Sequence, residues 1–152
     1  MIKIGDNISH IILGTNEKGD ILKISDFSGH KLVLYFYPKD NTPGCTAEAC
    51  SLRNNYDLLK AQGYEVIGVS KDTANSHIKF KEKHELPFSL ITDTELTLHN
   101  IMGTWGEKTM CGKKCMGTLR TTFIIDENGV VSYIFDPKKI KTKEHGEQIL
   151  NL

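Results

Sequence analysis

Lys31-Leu-Val-Leu-Tyr-Phe-Tyr-Pro-Lys-Asp-Asn-Thr-Pro-Gly-Cys-Thr-Ala-Glu-Ala-Cys50 is the stretch whose reading decides the fold. From Leu32 to Tyr37 it is apolar without a break, the pattern of a central strand covered on both faces. Pro38 ends that run. After a short polar loop, Thr42-Pro43-Gly44-Cys45 reads as a helix start. Thr42 stands where an N-cap belongs, and Pro43 sits where a missing N–H costs nothing. Cys45 then falls in the first helical turn, just beyond the end of a buried strand. Unpaired backbone N–H groups and the positive end of the helix dipole favour a thiolate there, and the thiolate is the nucleophilic form of cysteine.

Around this stretch the chain is of ordinary globular composition. Its 152 residues are 39% hydrophobic and 25% charged, enough for a single domain, residues 1–152, with one core. Lys plus Arg and Asp plus Glu number 19 each, so no charge excess points to nucleic acid or an anionic membrane. No apolar run approaches the roughly 20 residues that span a bilayer, and the N-terminus lacks a signal-peptide pattern. A cytoplasmic protein is expected. Four cysteines in that compartment argue for catalysis or metal binding rather than structural cross-links. Arg53 and Arg120 are the only arginines, which singles them out as positions where a planar fork has a use.

The flanks supply the remaining elements. His10 to Gly14 and Asp20 to Ile24, on either side of Thr15-Asn-Glu-Lys-Gly19, suggest an N-terminal hairpin. After Pro43, Ala49, Leu52, Tyr56 and Leu59 recur at helical intervals until Gly63. Tyr64 to Ser70 is the next strand, and a helix between two buried strands makes a parallel βαβ unit. A helix over about Thr73 to His84, capped by Asp72, a strand Phe88 to Thr92 and a brief helix capped by Asp93 follow. Gly103 to Thr118 shows no period and reads as a long loop. Leu119–Asp126 and Val130–Phe135 form a hairpin through Asn128-Gly129, and a last helix runs from Thr142 to Leu150. The order fits an α/β, thioredoxin-like fold: a central mixed β-sheet flanked by helices, with an N-terminal β-hairpin.

Pro38, Thr42 and Cys45 stand in the spacing Pro-x-x-x-Thr-x-x-Cys, which resembles the active-site signature of the peroxiredoxins. Cys45-Thr-Ala-Glu-Ala-Cys50 resembles the bacterioferritin comigratory protein (PrxQ) group, which carries a second cysteine five residues after the first. Gly117-Thr-Leu-Arg-Thr-Thr-Phe-Ile-Ile-Asp126 is similar to the family's second landmark, an arginine just before a Thr-Phe strand. The resemblance covers nearly the whole chain and implies a thioredoxin-like fold and a thiol peroxidase. Residue by residue it implies that Cys45 attacks the peroxide, Thr42 contacts the peroxide oxygens, Arg120 holds negative charge and Pro38 shields the sulfur. Glu48 would belong to the surrounding hydrogen-bond network.

In such a reaction the thiolate splits the O–O bond and is left as a sulfenic acid. Cys50 is the expected resolving thiol. Five residues along an intact helix separate two Cα atoms by roughly 8–9 Å, beyond the reach of about 7 Å of a disulfide, so the helix must partly unwind. Cys111 and Cys115 depart from the group's pattern and stand as possible extra redox thiols or passive ones, with Lys113 and Lys114 between them. Thioredoxin or a similar dithiol would be the reductant, a peroxide the substrate, and a monomer the assembly. No cofactor or metal is expected, and the six histidines read as surface or packing residues. Two other functions stay open on sequence alone. A thioredoxin-type disulfide oxidoreductase would want Cys-x-x-Cys, and a four-cysteine zinc module would want closer pairs.

Overall fold

The computed structural model describes residues 1–110 and 112–152. In chain order the elements are β1 (Ile12–Thr15), β2 (Ile21–Lys23), β3 (Lys31–Phe36), α1 (Pro43–Asn54), α2 (Tyr56–Ala61), β4 (Tyr64–Ser70) and α3 (Ala74–His84). There follow β5 (Ser89–Thr92), α4 (Thr97–Met102), β6 (Trp105–Met110), β7 (Lys113–Thr118), β8 (Thr121–Ile125), β9 (Val131–Phe135) and α5 (His145–Leu150). Short 3-10 turns precede β3 and α5.

β3 is the centre of a five-stranded sheet of order β5-β4-β3-β8-β9. It pairs parallel with β4 and antiparallel with β8, so the sheet is mixed, as expected of a thioredoxin-like fold. The alternation of β3 sorts the core into two layers. Val33, Tyr35 and Tyr37 face α1, α3 and α5 together with Ala49, Leu52, Phe80 and Ile149. Leu32, Leu34 and Phe36 face the N-terminal segment and α4 together with Ile8, Leu13 and Leu98. Every residue from Leu32 to Tyr37 is buried, which is why the strand has no polar face in its sequence.

Beyond the sheet ends the details depart from the sequence reading. The expected helix from Pro43 to Gly63 is two helices, broken at Asn55, whose side-chain amide donates to the Ser51 carbonyl at 2.8 Å. At this point α5 crosses α1 closely. Gly146 N donates to Ser51 Oγ at 2.9 Å, and a Cβ on Gly146 would stand 2.7 Å from the Ser51 carbonyl oxygen. The N-terminal hairpin is narrower than expected, Ile12–Thr15 against Ile21–Lys23. Thr73, not Asp72, caps α3, accepting from Ser76 N at 3.3 Å.

The largest correction is to residues 103–118. Instead of a long loop, β6 and β7 pair as an antiparallel hairpin, Trp105 against Thr118 through Met110 against Lys113. Most of β7 is exposed on both faces, so no apolar alternation marks it in sequence. The strand expected from Leu119 begins at Thr121, which leaves Arg120 in the short connection between β7 and β8.

Candidate active site

Tyr37 follows β3 directly, half-buried Pro38 turns the chain, and Asn41 takes a left-handed conformation (φ +61°) before the helix. Thr42 is the N-cap by its backbone, φ −88° and ψ 153°. Its side chain does not cap, however: Thr42 Oγ1 donates to the Lys39 carbonyl at 2.9 Å and closes the loop on itself. Cys45, 1% exposed, then lies in the first turn of α1. A small residue one position earlier matters here, because a Cβ on Gly44 would stand 3.3 Å from Arg120 Nη2.

Arg120 is the cation of this site. Nη2 lies 3.4 Å from Cys45 Sγ, and Nη1 donates to Glu48 Oε1 at 2.6 Å. The planar fork thus reaches two groups spaced about one turn apart on α1. Burial opposes the charge of Arg120, but Glu48 and Cys45 outweigh it and raise its pKa above the ordinary arginine value. Glu48 is fully buried. Burial pushes its carboxyl up from 4.5 to about 7 against the pull of Arg120. Its second oxygen, Oε2, has no hydrogen-bond partner among the described residues and lies 3.8 Å from His145 Nε2.

His145 approaches from α5 and is fully buried. Gln148 fixes its tautomer: Gln148 Nε2 donates to the Lys139 carbonyl and Oε1 accepts from Lys141 N, so that oxygen also accepts from His145 Nδ1 at 2.8 Å. The Thr122 hydroxyl fills Nε2 at 2.8 Å. Burial, with the charge of Arg120 added, lowers the pKa of His145 from 6.5 to about 4. Tyr35 reaches the same region from β3. Its hydroxyl is buried without a partner among the described residues, and burial, with Glu48 and Cys45 adding to it, raises its pKa well above 10.

Two buried braces, not foreseen from sequence, hold the pieces in place. In the first, Asp40 accepts from the Tyr37 hydroxyl at 2.6 Å and from Ser76 Oγ at 2.8 Å, and meets His77 Nδ1 at 2.8 Å. His77 Nε2 contacts the Ile91 carbonyl at 3.0 Å, so the loop bearing Pro38 and Thr42 is tied to α3 and β5. Asp72 Oδ2 accepts from the Asp40 backbone N–H at 2.9 Å. Asp40, Asp72 and His77 place ligand-type atoms within 4.8 Å of one another, but these bonds already engage them. In the second brace, Asp93 accepts from Leu98 N, His99 N and His99 Nδ1, the last at 2.6 Å. His99 Nε2 then meets Thr118 Oγ1 at 2.9 Å, two residues before Arg120. The N-cap of α4 is Leu96 rather than Asp93, but the Asp93 carboxylate satisfies two N–H groups of its first turn, and α4 supports the arginine.

Three histidines read as surface or packing residues thus serve as buried polar links. No local pattern betrays the long-range half of each link: Asp40 for His77, Thr118 for His99 and Thr122 for His145 all lie on other parts of the chain. Cys50 is on α1 with Cys45, half-buried and unpaired, the helix between them intact. Cys115 is exposed on β7, and Cys111 lies outside the described residues. Among the described residues the cysteines form no metal-ligand cluster. A groove of about 1220 Å³ between the N-terminal segment and α4 is lined by Ile8, Ile11, Leu98 and Ile101, on the sheet face away from Cys45.

The titrations of Glu48 and His145 pull stability in opposite directions. Glu48 binds its proton more tightly in the folded chain, so its contribution is full below about 4.5 and lost as pH rises through about 7. His145 contributes fully above 6.5 and loses that contribution as pH falls through about 4. Glu48→Gln removes the falling slope, so the variant's unfolding free energy should climb with pH across this window, where the parent stays flatter. Urea melts across the window check it, and parallel profiles would contradict the assignment.

Comparisons with known proteins follow the same lines. The AhpC/TSA family model matches residues 4–134. Peroxiredoxin Bcp of Bacillus subtilis (strain 168) is 42% identical over 149 residues, which is 98% of this chain and 93% of that protein. A cysteine-to-serine mutant of Xylella fastidiosa PrxQ superposes with a TM-score of 0.89 at 31% identity, covering 99% of this chain and 94% of that one. A structure of Xanthomonas campestris bacterioferritin comigratory protein, described by its alkyl peroxide reduction activity, gives a TM-score of 0.86 at 29% identity, covering 99% and 94%.

Proposed function

Because this chain belongs to the AhpC/TSA family, as a thiol-dependent peroxidase of the peroxiredoxin Bcp/PrxQ group, we propose that Cys45 is its peroxide-reducing sulfur and Cys50 its resolving thiol. The observation that carries the reading is the guanidinium of Arg120 at 3.4 Å from Cys45 Sγ, at the first turn of α1. A cation and free helix-end N–H groups both favour the thiolate. That thiolate attacks one peroxide oxygen, the O–O bond breaks, and Arg120 steadies the charge that moves onto the departing oxygen. Thr42, its hydroxyl proton given to Lys39, keeps oxygen lone pairs free to accept from the peroxide. Pro38 screens the sulfur, and Glu48 holds the arginine in its fork.

Hydrogen peroxide and organic hydroperoxides are the proposed substrates, the second supported by the alkyl peroxide activity of the Xanthomonas relative. Thioredoxin or a similar dithiol is the proposed reductant of the disulfide, and the chain is read as one domain working as a monomer in the cytoplasm. Among the described residues no helix is long and apolar enough to cross a membrane.

Stoichiometric peroxide should convert the reduced chain to a Cys45–Cys50 disulfide with loss of helical signal from the start of α1. The bond requires the first turns to open, which breaks a handful of hydrogen bonds at roughly 0.5–1.5 kcal/mol net each. Once they open, closure of so short a loop takes well under about a microsecond. Peptide mapping decides the pairing. Cys45 recovered mainly with Cys111 or Cys115 would overturn Cys50 as the resolving thiol.

A further inference from the structure

Two acids share one cation beneath the peroxide site. Arg120 touches Cys45 with one nitrogen and Glu48 with the other, and both acids are buried. Among the described residues, the other groups that face Glu48 bring no second positive charge. His145, from α5, is held neutral with Nδ1 donating to Gln148 and Nε2 filled by Thr122. Tyr35, from β3, is a buried neutral phenol. Among the described residues Glu48 Oε2 has no donor. Burying two anions beside a single cation leaves one of them uncompensated, which a low-dielectric site does not tolerate. A charged sulfur sharing that cation repels a charged carboxylate, which favours the protonated form of Glu48.

We infer that Glu48 carries a proton while Cys45 is a thiolate and releases it when the sulfur is oxidised, so that the site keeps one anion beside Arg120 throughout. The inference rests on the peroxidase reading of Cys45. The balance is complete without any outside proton. The thiolate sulfur forms a bond to the terminal peroxide oxygen and loses two electrons, and the O–O bond breaks. The departing alkoxide or hydroxide gains one proton, and the carboxylic acid loses one. Thiolate, hydroperoxide and carboxylic acid thereby become sulfenic acid, alcohol or water, and carboxylate. Oε1 is committed to Arg120, so the stored proton belongs on Oε2, the oxygen left without a donor. Burial supports the same direction, since it raises the pKa of Glu48 to about 7 even beside the arginine.

Proton counting tests this. A Cys50→Ser chain, which stops at the sulfenic acid, is mixed with one equivalent of hydrogen peroxide in weak buffer containing an indicator dye. The pH is set about one unit above about 7, the value that burial and Arg120 give Glu48 beside an uncharged Cys45, so that only repulsion by the thiolate holds the proton there. The expected result is one sulfenic acid per chain with no net proton taken from solution. The same chain with Glu48→Gln should take up one proton per peroxide, since the amide has none to give. Uptake of one proton by both chains, or by neither, overturns the inference while leaving the peroxidase reading intact. No peroxide consumption in the first chain overturns the peroxidase reading and this inference with it. Should the Gln variant fail to fold, infrared difference spectra of the Cys50→Ser chain decide alone. A protonated-carboxyl stretch should disappear on oxidation, and its persistence overturns the proposal.

Discussion

Cys45→Ser should lose peroxide turnover altogether while folding as the parent does. The substitution exchanges one small atom at a position that is 1% exposed, inside the first turn of α1, and disturbs little packing. The serine hydroxyl does not ionise near neutral pH, however, and cannot accept the transferred oxygen as a sulfenic acid. A consumption assay beside a thermal melt separates chemistry from folding. Most of the turnover surviving in a well-folded variant would remove Cys45 from the reaction.

Arg120→Lys should slow the attack on peroxide by about 100-fold, the order expected when one preorganised donor to developing charge is lost. The change keeps the charge and removes the fork. Arg120 now reaches Glu48 at 2.6 Å and Cys45 at 3.4 Å with two different nitrogens. A single ammonium cannot hold both positions, and the fully buried Glu48 has the stronger claim on it. The sulfur is then left without its cation. Single-turnover oxidation of the variant gives the rate directly, and a rate equal to the parent's would place Arg120 outside the chemistry.

What could be read from the sequence was what is decided locally. β3 announces itself because both of its faces are covered, and the start of α1 because Thr42, Pro43 and Gly44 obey rules confined to one turn. Cys45, Glu48 and Arg120 were found through motif spacing, and the structure brings those three together. The β6–β7 hairpin stayed hidden for the opposite reason. With most of β7 exposed on both faces, nothing forces Lys113 to Met116 to alternate. The break at Asn55 was equally silent, because apolar residues keep their helical spacing across it and the cause is the crossing of α5. His145, His77 and His99 had no local mark either. Each is buried by elements far away in sequence, and only the fold shows that it links Glu48, the Pro38–Thr42 loop or the Arg120 connection to the rest of the chain.

The close crossing of α5 over α1 also sets how far damage can spread. Behind Cys50, helix α1 is fastened: Gly146 N holds Ser51 Oγ, Ser51 Oγ donates to Glu147 at 3.2 Å, and Asn55 closes onto the Ser51 carbonyl. Ahead of Cys50 the helix is held by the Thr42 loop, by the contacts of Cys45 and Glu48 with Arg120, and by the burial of Cys45 and Ala49. Melting that begins at Pro43 therefore runs into a stop at Ser51. The remainder of α1, and α2 beyond the Asn55 break, are insulated from it. Each catalytic cycle would then disturb two helical turns, Cys45 and Ala49 with them, and spare Leu52 and the layer behind it, so the enzyme would open repeatedly without approaching global unfolding.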